Sequence, residues 1–413
     1  MKIKKYAFLM LGIFLTVNVF SGCGLKSISK NENITLTFWS GYKNEEAKVF
    51  EEKIIPAFNK IHPNVKIEPK TIDATDYDKE LIKSIVEGKN PDIARIDIIS
   101  VSRYAKLGAI APVDDAKGFE EIKSQLYEKP MSTAFYDGRY YGIPINTNTK
   151  VGLYNKNILK EAGMTEAPKT FDELIALQSK LQDSDIYPLS IEKFEVWGWA
   201  PYFLSFGGEF ANEDNTKATG FLNSEESVRA IKKIVELTNN KIMGQPALGD
   251  VATWDGLIDN KYIMIDEGPW WFTSNKELKD QVICAELPSE NGKSISVIGG
   301  EDTVIFNNCE NKEMANEFIQ FLASDEAQTI FCEELGMLPV NKNTATKDCV
   351  TNNELLNIYS SQLETAWARI PNPNWSAIDN ILQRTFEKCL SGSDIKLELD
   401  KAAEQLDTLL END

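Results

Sequence analysis

Apolar and polar positions alternate from Ile34 to Trp39 (ITLTFW), a period of two that predicts a strand with one face buried. The period then lengthens. From Asn44 to His62 the apolar residues Ala47, Phe50, Ile54, Phe58 and Ile61 recur every three or four positions, which predicts a helix. A kink is expected at Pro56, because proline has no N–H to give the preceding turn. Val65 to Pro69 reads as a second strand and Tyr77 to Gly88 as a second helix closed by its glycine. Pro91 to Ile99 reads as a third strand and Val101 to Leu107 as another helix, before Ala111-Pro112-Val113-Asp114-Asp115 returns to the surface. Strand, helix, strand, helix, strand predicts an α/β fold with a parallel sheet covered on both faces.

The pattern changes again between Asp137 and Lys156. Asp137-Gly138 supplies the positive-φ residue that a two-residue hairpin loop needs, and Tyr140, Tyr141 and Ile143 follow as strand formers. Thr147 to Tyr154 reads as a further strand. Between the two lie Pro144 and the polar run Asn146-Thr147-Asn148-Thr149. Extended backbone carrying amides and hydroxyls is a poor core element, and it predicts a crossing between two lobes with side chains facing the gap. Phe171 to Leu181 follows Thr170 in a Thr-Phe-Asp-Glu capping box. Ser224 to Thr238 and Asn311 to Leu322 are amphipathic helices. Asp394 to Leu410 is a closing helix with apolar positions Leu397, Leu399, Ala403, Leu406 and Leu410.

A length of 413 residues is too great for one compact core, so two domains are expected. The formal charge is −19; residues 1–22 hold three lysines and no acid, so the remainder carries −22. That excess argues against nucleic acid or anionic lipid as a partner. A single histidine, His62, sits before Pro63 at a helix end, which leaves Ser-His-Asp, Cys-His and His-rich zinc chemistry without material. The six cysteines (Cys23, Cys284, Cys309, Cys332, Cys349 and Cys389) include no C-x-x-C pair. Setting Cys23 aside, at most two disulfides are open to the other five, and a wholly reduced set suits a host with little oxygen.

Lys2, Lys4 and Lys5, then an apolar run from Tyr6 to Phe20, make residues 1–22 an export signal too short to span a bilayer comfortably. Phe20-Ser21-Gly22-Cys23 resembles the lipobox of bacterial lipoproteins, with Phe20 an atypical first residue. The resemblance implies cleavage before Cys23, acyl chains such as palmitate on that residue, and a tether over residues 23–33.

The ordered set of HPNVKIE, GKNPDIARID, YAKLGAIAPVDD, YYGIPINTNTKVGLYNK, APKTFDEL, FGGEF, EGPWWF, IGGEDTVIF, ANEFIQFLASDEAQ and LGMLPVNK resembles family 1 extracellular solute-binding proteins of sugar ABC importers. It spans essentially all of residues 34–413. The resemblance implies a two-lobed α/β periplasmic-binding-protein fold of type II, each lobe a sheet flanked by helices, joined by a strand hinge. Lobe 1 would comprise 34–144 plus 299–345, and lobe 2 would comprise 145–298 plus 346–413.

Neutral sugars offer hydroxyls and a weakly polar C–H face, so their sites need flat aromatic rings beside carboxylates or amides. Eight tryptophans are available, several in FEVW, GPWW and NPNW. Carried over position by position, the resemblance implies ligand contacts from Trp39, Glu45, Asp97, Asn148, Glu195, Trp197, Trp270, Glu301, Arg369 and Asp379. Asn148 stands where relatives place an acid, and Glu301 where trehalose-type relatives often have tryptophan. Trp254, Trp271, Trp367 and Trp375 are assigned to packing. The expectation is a lipid-anchored monomer on the outer face of the membrane that binds a carbohydrate by hinge closure and docks on an ABC permease. It would have no catalytic residue, metal or cofactor. Two rivals stand beside it: the same fold holding a polyamine or glycerol phosphate, and a secreted glycoside hydrolase, which needs two carboxylates at a set separation.

Overall fold

The computed structural model describes residues 33–181 and 185–411; the expected signal peptide, Cys23 and the tether up to residue 32 lie outside the described residues. Among the described residues the two larger sheets are built from the strands β1 Ile34–Ser40, β2 Val65–Thr71, β3 Ile93–Asp97, β4 Ile143–Asn148, β5 Val151–Asn155, β6 Met264–Glu267, β7 Val282–Ala285 and β8 Gly299–Ile305. They form a five-stranded sheet in the order β2-β1-β3-β8-β4 and a three-stranded sheet in the order β6-β5-β7.

The first sheet is parallel only in part. β1 runs parallel to β2 and β3, as the sequence predicts, but β8 is antiparallel to both β3 and β4. The reason is where the strands end. β1, β3 and β4 finish at one edge with Ser40, Asp97 and Asn148, whereas β8 begins there at Gly299, opposite Asn148. A strand that enters at the edge where its neighbours leave must run against them.

The strand expected over Thr147–Tyr154 is divided between the sheets. It stops at Asn148, and β5 starts at Val151 in the other sheet, antiparallel to β6 and β7. The intervening Thr149 and Lys150 are buried and tied to a second passage of chain. Thr149 Oγ1 lies 2.9 Å from both Ser296 Oγ and the Val297 carbonyl, and Ser296 Oγ donates to the Lys150 carbonyl at 2.8 Å. A third passage joins them: Trp367 N donates to the Ser296 carbonyl, and Ile298 N to that of Trp367, both at 2.8 Å. Three stretches of backbone therefore cross together between the sheets.

Local chemistry accounts for most element ends. Asp137 (φ 44°) and Gly138 (φ 75°) form a tight turn between Phe135–Tyr136 and Arg139–Tyr140, matching the two positive φ values of a type I′ hairpin. Pro56 does not break its helix; residues 50–54 widen into a π turn just before it, so the missing donor is absorbed by looser winding. Thr170 Oγ1 accepts from Glu173 N at 3.1 Å, but the Glu173 carboxylate reaches Lys169 N, one residue short of the capping-box donor. In the closing helix Ile395–Leu410, Leu399, Ala402, Ala403, Leu406 and Leu410 are buried, while Leu397 is 51% exposed and belongs to the outer face. His62 ends its helix, stacked on Phe58 at 4.6 Å. No helix among the described residues is long and apolar enough to cross a membrane.

One apolar cluster packs Phe38, Phe50, Phe58, Phe318 and Phe331 against one face of the large sheet. A second surrounds Leu81, Ile96, Tyr104 and Val304 on its other face. The small sheet is buried between a cluster holding Leu153, Ile265, Trp271 and Tyr359 and a larger one holding Trp199, Tyr202, Phe203 and Phe386.

Candidate ligand-binding cleft

The strand ends of the large sheet face two segments of the other half: the start of the helix Val196–Ser205, and the turn after β6 where Gly268-Pro269 leads into the helix Trp270–Ser274. Each segment contributes a half-buried indole. The rings of Trp197 and Trp270 lie 6.1 Å apart, inclined by 35°. Two glycines make room for them. A Cβ on Gly268 would fall 2.2 Å from the Trp270 ring, and one on Gly299 would fall 2.2 Å from Asn148 Oδ1 and 3.0 Å from Trp197. Asn148 Oδ1 is buried without a hydrogen-bond partner, so the foot of the indole pair holds an acceptor that lacks a donor.

Arg369 closes this corner. Its guanidinium carbon stands 5.3 Å from the centre of the Trp197 ring and Nη2 lies 3.5 Å from Asp97 Oδ1, so one side chain touches both halves. The Arg369 side chain is only 10% exposed and its Nε is unpartnered. Asp97 is half exposed, and its Oδ1 also accepts from Ile99 N at 3.0 Å.

Below Trp197 the wall is built on charge. Lys150 and Asp266 form a buried ion pair, with Tyr202 Oη donating to Asp266 Oδ1 at 2.9 Å. Burial pushes the Asp266 carboxyl up, opposed by the Lys150 ammonium. Lys150 Nζ also donates to the Trp197 carbonyl at 3.3 Å and so anchors the indole-bearing turn. Lys150, Glu192, Glu195, Trp197, Trp254, Glu267 and Trp270 line a cleft of about 310 Å³. Glu267 is fixed by two donors, Trp254 Nε1 at 2.5 Å and Gly268 N at 2.8 Å, while burial raises its pKa. A neighbouring cleft of about 320 Å³ runs from Tyr77, Asp97 and Arg103 to Pro373, Trp375 and Ser376.

The residues expected at the site are thus distributed unevenly. Asn148, Trp197, Trp270, Arg369 and Asp97 converge, and Glu195 sits beside them at the rim of the same cleft. Glu301 is committed to Arg95 at 2.9 Å, and burial raises its carboxyl despite that cation. Glu45 is exposed on the first turn of its helix; the adjacent Glu46 is the residue that faces Arg95, at 3.9 Å. Asp379 accepts from Val196 N at 2.8 Å and so caps the helix that carries Trp197, and burial raises its pKa. Trp39 packs beside Tyr77 with Lys70 Nζ 3.9 Å from its ring centre. Of the tryptophans assigned to packing, Trp271 and Trp375 are buried and Trp367 stacks on Phe210 at 4.8 Å. Trp254, by contrast, lines the cleft. Sequence reading passed over Lys150, Glu46 and Arg95 because each is one charge among many, and only pairing distinguishes a buried charge from a surface one.

The profile of bacterial extracellular solute-binding proteins matches residues 53–357. The chain is similar to maltodextrin-binding protein MdxE of Bacillus subtilis, with 28% identity over 304 residues covering 70% of this chain and 69% of that protein. It is also similar to the arabinooligosaccharide-binding protein of the same organism, with 24% identity over 360 residues covering 82% and 81%. The crystal structure of the cyclic α-maltosyl-1,6-maltose binding protein from Arthrobacter globiformis shares the fold, with a TM-score of 0.81 and 23% identity over 92% of this chain and 100% of that one.

Proposed function

The chain belongs to the bacterial extracellular solute-binding protein family, and from that membership we propose that it captures a carbohydrate outside the cell and delivers it to the permease of an ABC importer. The observation that carries the sugar reading is the corner formed by Trp197, Trp270, Asn148, Arg369 and Asp97. Two inclined indoles offer faces to C–H groups, an unpartnered amide oxygen accepts from a hydroxyl, and a carboxylate and a guanidinium stand on either side. Binding proteins for maltodextrins and arabinooligosaccharides among its relatives support the same ligand class.

The mechanism is closure about the three crossing segments. Residues 34–144 plus 299–345 and residues 145–298 plus 346–413 act as two lobes, supported by the separate sheets and clusters on either side of Thr149 and Ser296. A ligand that touches Asp97 on one lobe and Trp270 on the other, with Asn148 beside the crossing between them, favours the closed form by its differential contacts. Cys23 carries the lipid that holds the protein to the membrane, and the chain acts by binding alone. The acids that a polyamine would use are mostly engaged: Glu301 by Arg95, Asp379 by a helix end, Asp97 by Arg369. That favours a neutral ligand.

Isothermal titration with maltodextrins, arabinooligosaccharides and spermidine tests the reading. One sugar should bind at micromolar or tighter Kd, and Trp270→Ala should weaken it about tenfold or more. Spermidine binding with no sugar response would overturn it, as would new reducing ends released from the oligosaccharide.

A further inference from the structure

All five described cysteines are free thiols, and two of them pack together: Cys332 lies in the apolar cluster on the three-stranded sheet, and Cys349 packs against that same cluster. Their positions in the fold give the contact meaning. Cys332 lies on the helix Asp325–Leu335, whose Ala327 and Phe331 are buried in the cluster built on the five-stranded sheet. Cys332 itself points the other way, into the cluster of Leu153, Ile265 and Tyr359 on the three-stranded sheet. Cys349 sits on the short helix Asp348–Thr351 beside Val350, which belongs to that second cluster. Between the two cysteines the chain passes Leu338, which bridges Thr147 on β4 next to the crossing.

We propose that Cys332 and Cys349 are a modification site, forming a reversible disulfide that ties the two lobes together beside the hinge. Cys349 is partly exposed and is the point of entry. Its sulfur attacks a small-molecule disulfide of the glutathione type, the S–S bond of the oxidant breaks, and one thiol leaves with the proton. Cys332 then attacks the Cys349 sulfur of the mixed disulfide, and the second thiol leaves with the second proton. Two electrons pass from the protein pair to the oxidant. Burial raises the Cys332 pKa, which keeps it from reacting with external reagents before Cys349 has done so. A bond here closes a short loop across the lobe boundary, restricting the unfolded chain and the opening of the cleft.

The bond itself does not depend on what the cleft holds; its effect on ligand exchange rests on the binding function proposed above. The test treats the purified protein with oxidised glutathione and maps it with trypsin. The expected product links peptide 313–342 to peptide 348–369, each of which contains a single cysteine, with loss of about 2 Da that dithiothreitol reverses. Cys332→Ser and Cys349→Ser should each abolish the link. The oxidised protein should melt several degrees higher and release bound sugar at least fivefold more slowly than the reduced protein. Linkage of either cysteine to another partner, or persistent free thiols at both, overturns the proposal, and unchanged release overturns its lobe-tying effect. A reduced protein that binds no sugar counts against the carbohydrate function alone, while the linked peptide and the melting shift still decide on the disulfide.

Discussion

Gly299 stands where Asn148 Oδ1 and the edge of Trp197 come closest, and a methyl group there would overlap both. Gly299→Ala should therefore leave the chain folded while displacing the amide and the indole, weakening sugar binding at least tenfold, about 1.4 kcal/mol. Unchanged affinity in a titration would remove Asn148 and Trp197 from the ligand's surroundings. Asp302 offers a second test. It is fully buried, takes one hydrogen bond from Thr133 Oγ1 at 3.1 Å, and has Asp97 and Glu301 near it, so burial chiefly pushes its pKa up to about 8. The folded chain then keeps a proton that the unfolded chain has lost between its ordinary value of 3.8 and about 8. Stability from this group is greatest at the acid end of that window and declines as pH climbs through it. Asp302→Asn cannot ionise, so its melting temperature should fall less than that of the unaltered protein from pH 5 to pH 9; parallel profiles would refute the assignment. At this scale the sequence was informative about rare residue types whose side chains come together, as with the rings of Trp197 and Trp270. It was silent on Glu46, Arg95 and Lys150, whose significance lies in which opposite charge they are buried against.

Among the elements, the crossing segments carry the heaviest burden for their length. Ser296 Oγ meets Thr149 Oγ1, the amide of Lys150 and its carbonyl, all buried. Ser296→Ala leaves these groups short of partners and should destabilise the protein by about 1–3 kcal/mol, read as a lower midpoint in urea. A shift within error would mean that the passages are held by their backbone bonds alone. The run through residues 147–154 looked like one strand because β-propensity reports on extended backbone and is blind to which sheet receives it. The break at Thr149-Lys150 has no glycine or proline to announce it, and only the change of pairing partners marks it. At Pro56 the winding loosens into a π turn over residues 50–54, a feature that helical periodicity alone does not announce, while Phe50 in that turn stacks on Phe38 at 4.6 Å.

For the whole molecule, the opening strand–helix succession announced an α/β fold, and the motif order announced its family. Neither the direction of β8 nor the small sheet of four- and five-residue strands was legible, because both depend on pairing between segments far apart in sequence. Anchoring belongs to this scale as well. Cys23→Ser should send the protein from the membrane fraction into the medium, as seen by fractionation, and continued sedimentation with membranes would sink the lipid assignment.

The place of β8 in the large sheet has a further consequence, for the order of events in biosynthesis. It fills the gap between β3 and β4, yet roughly 150 residues of chain separate Asn148 from Gly299. Until that late strand is synthesised, the first half is a sheet with a missing middle and two raw margins. On this account the large sheet cannot be completed early, which would suit passage through an export pore before folding, as the proposed export signal requires.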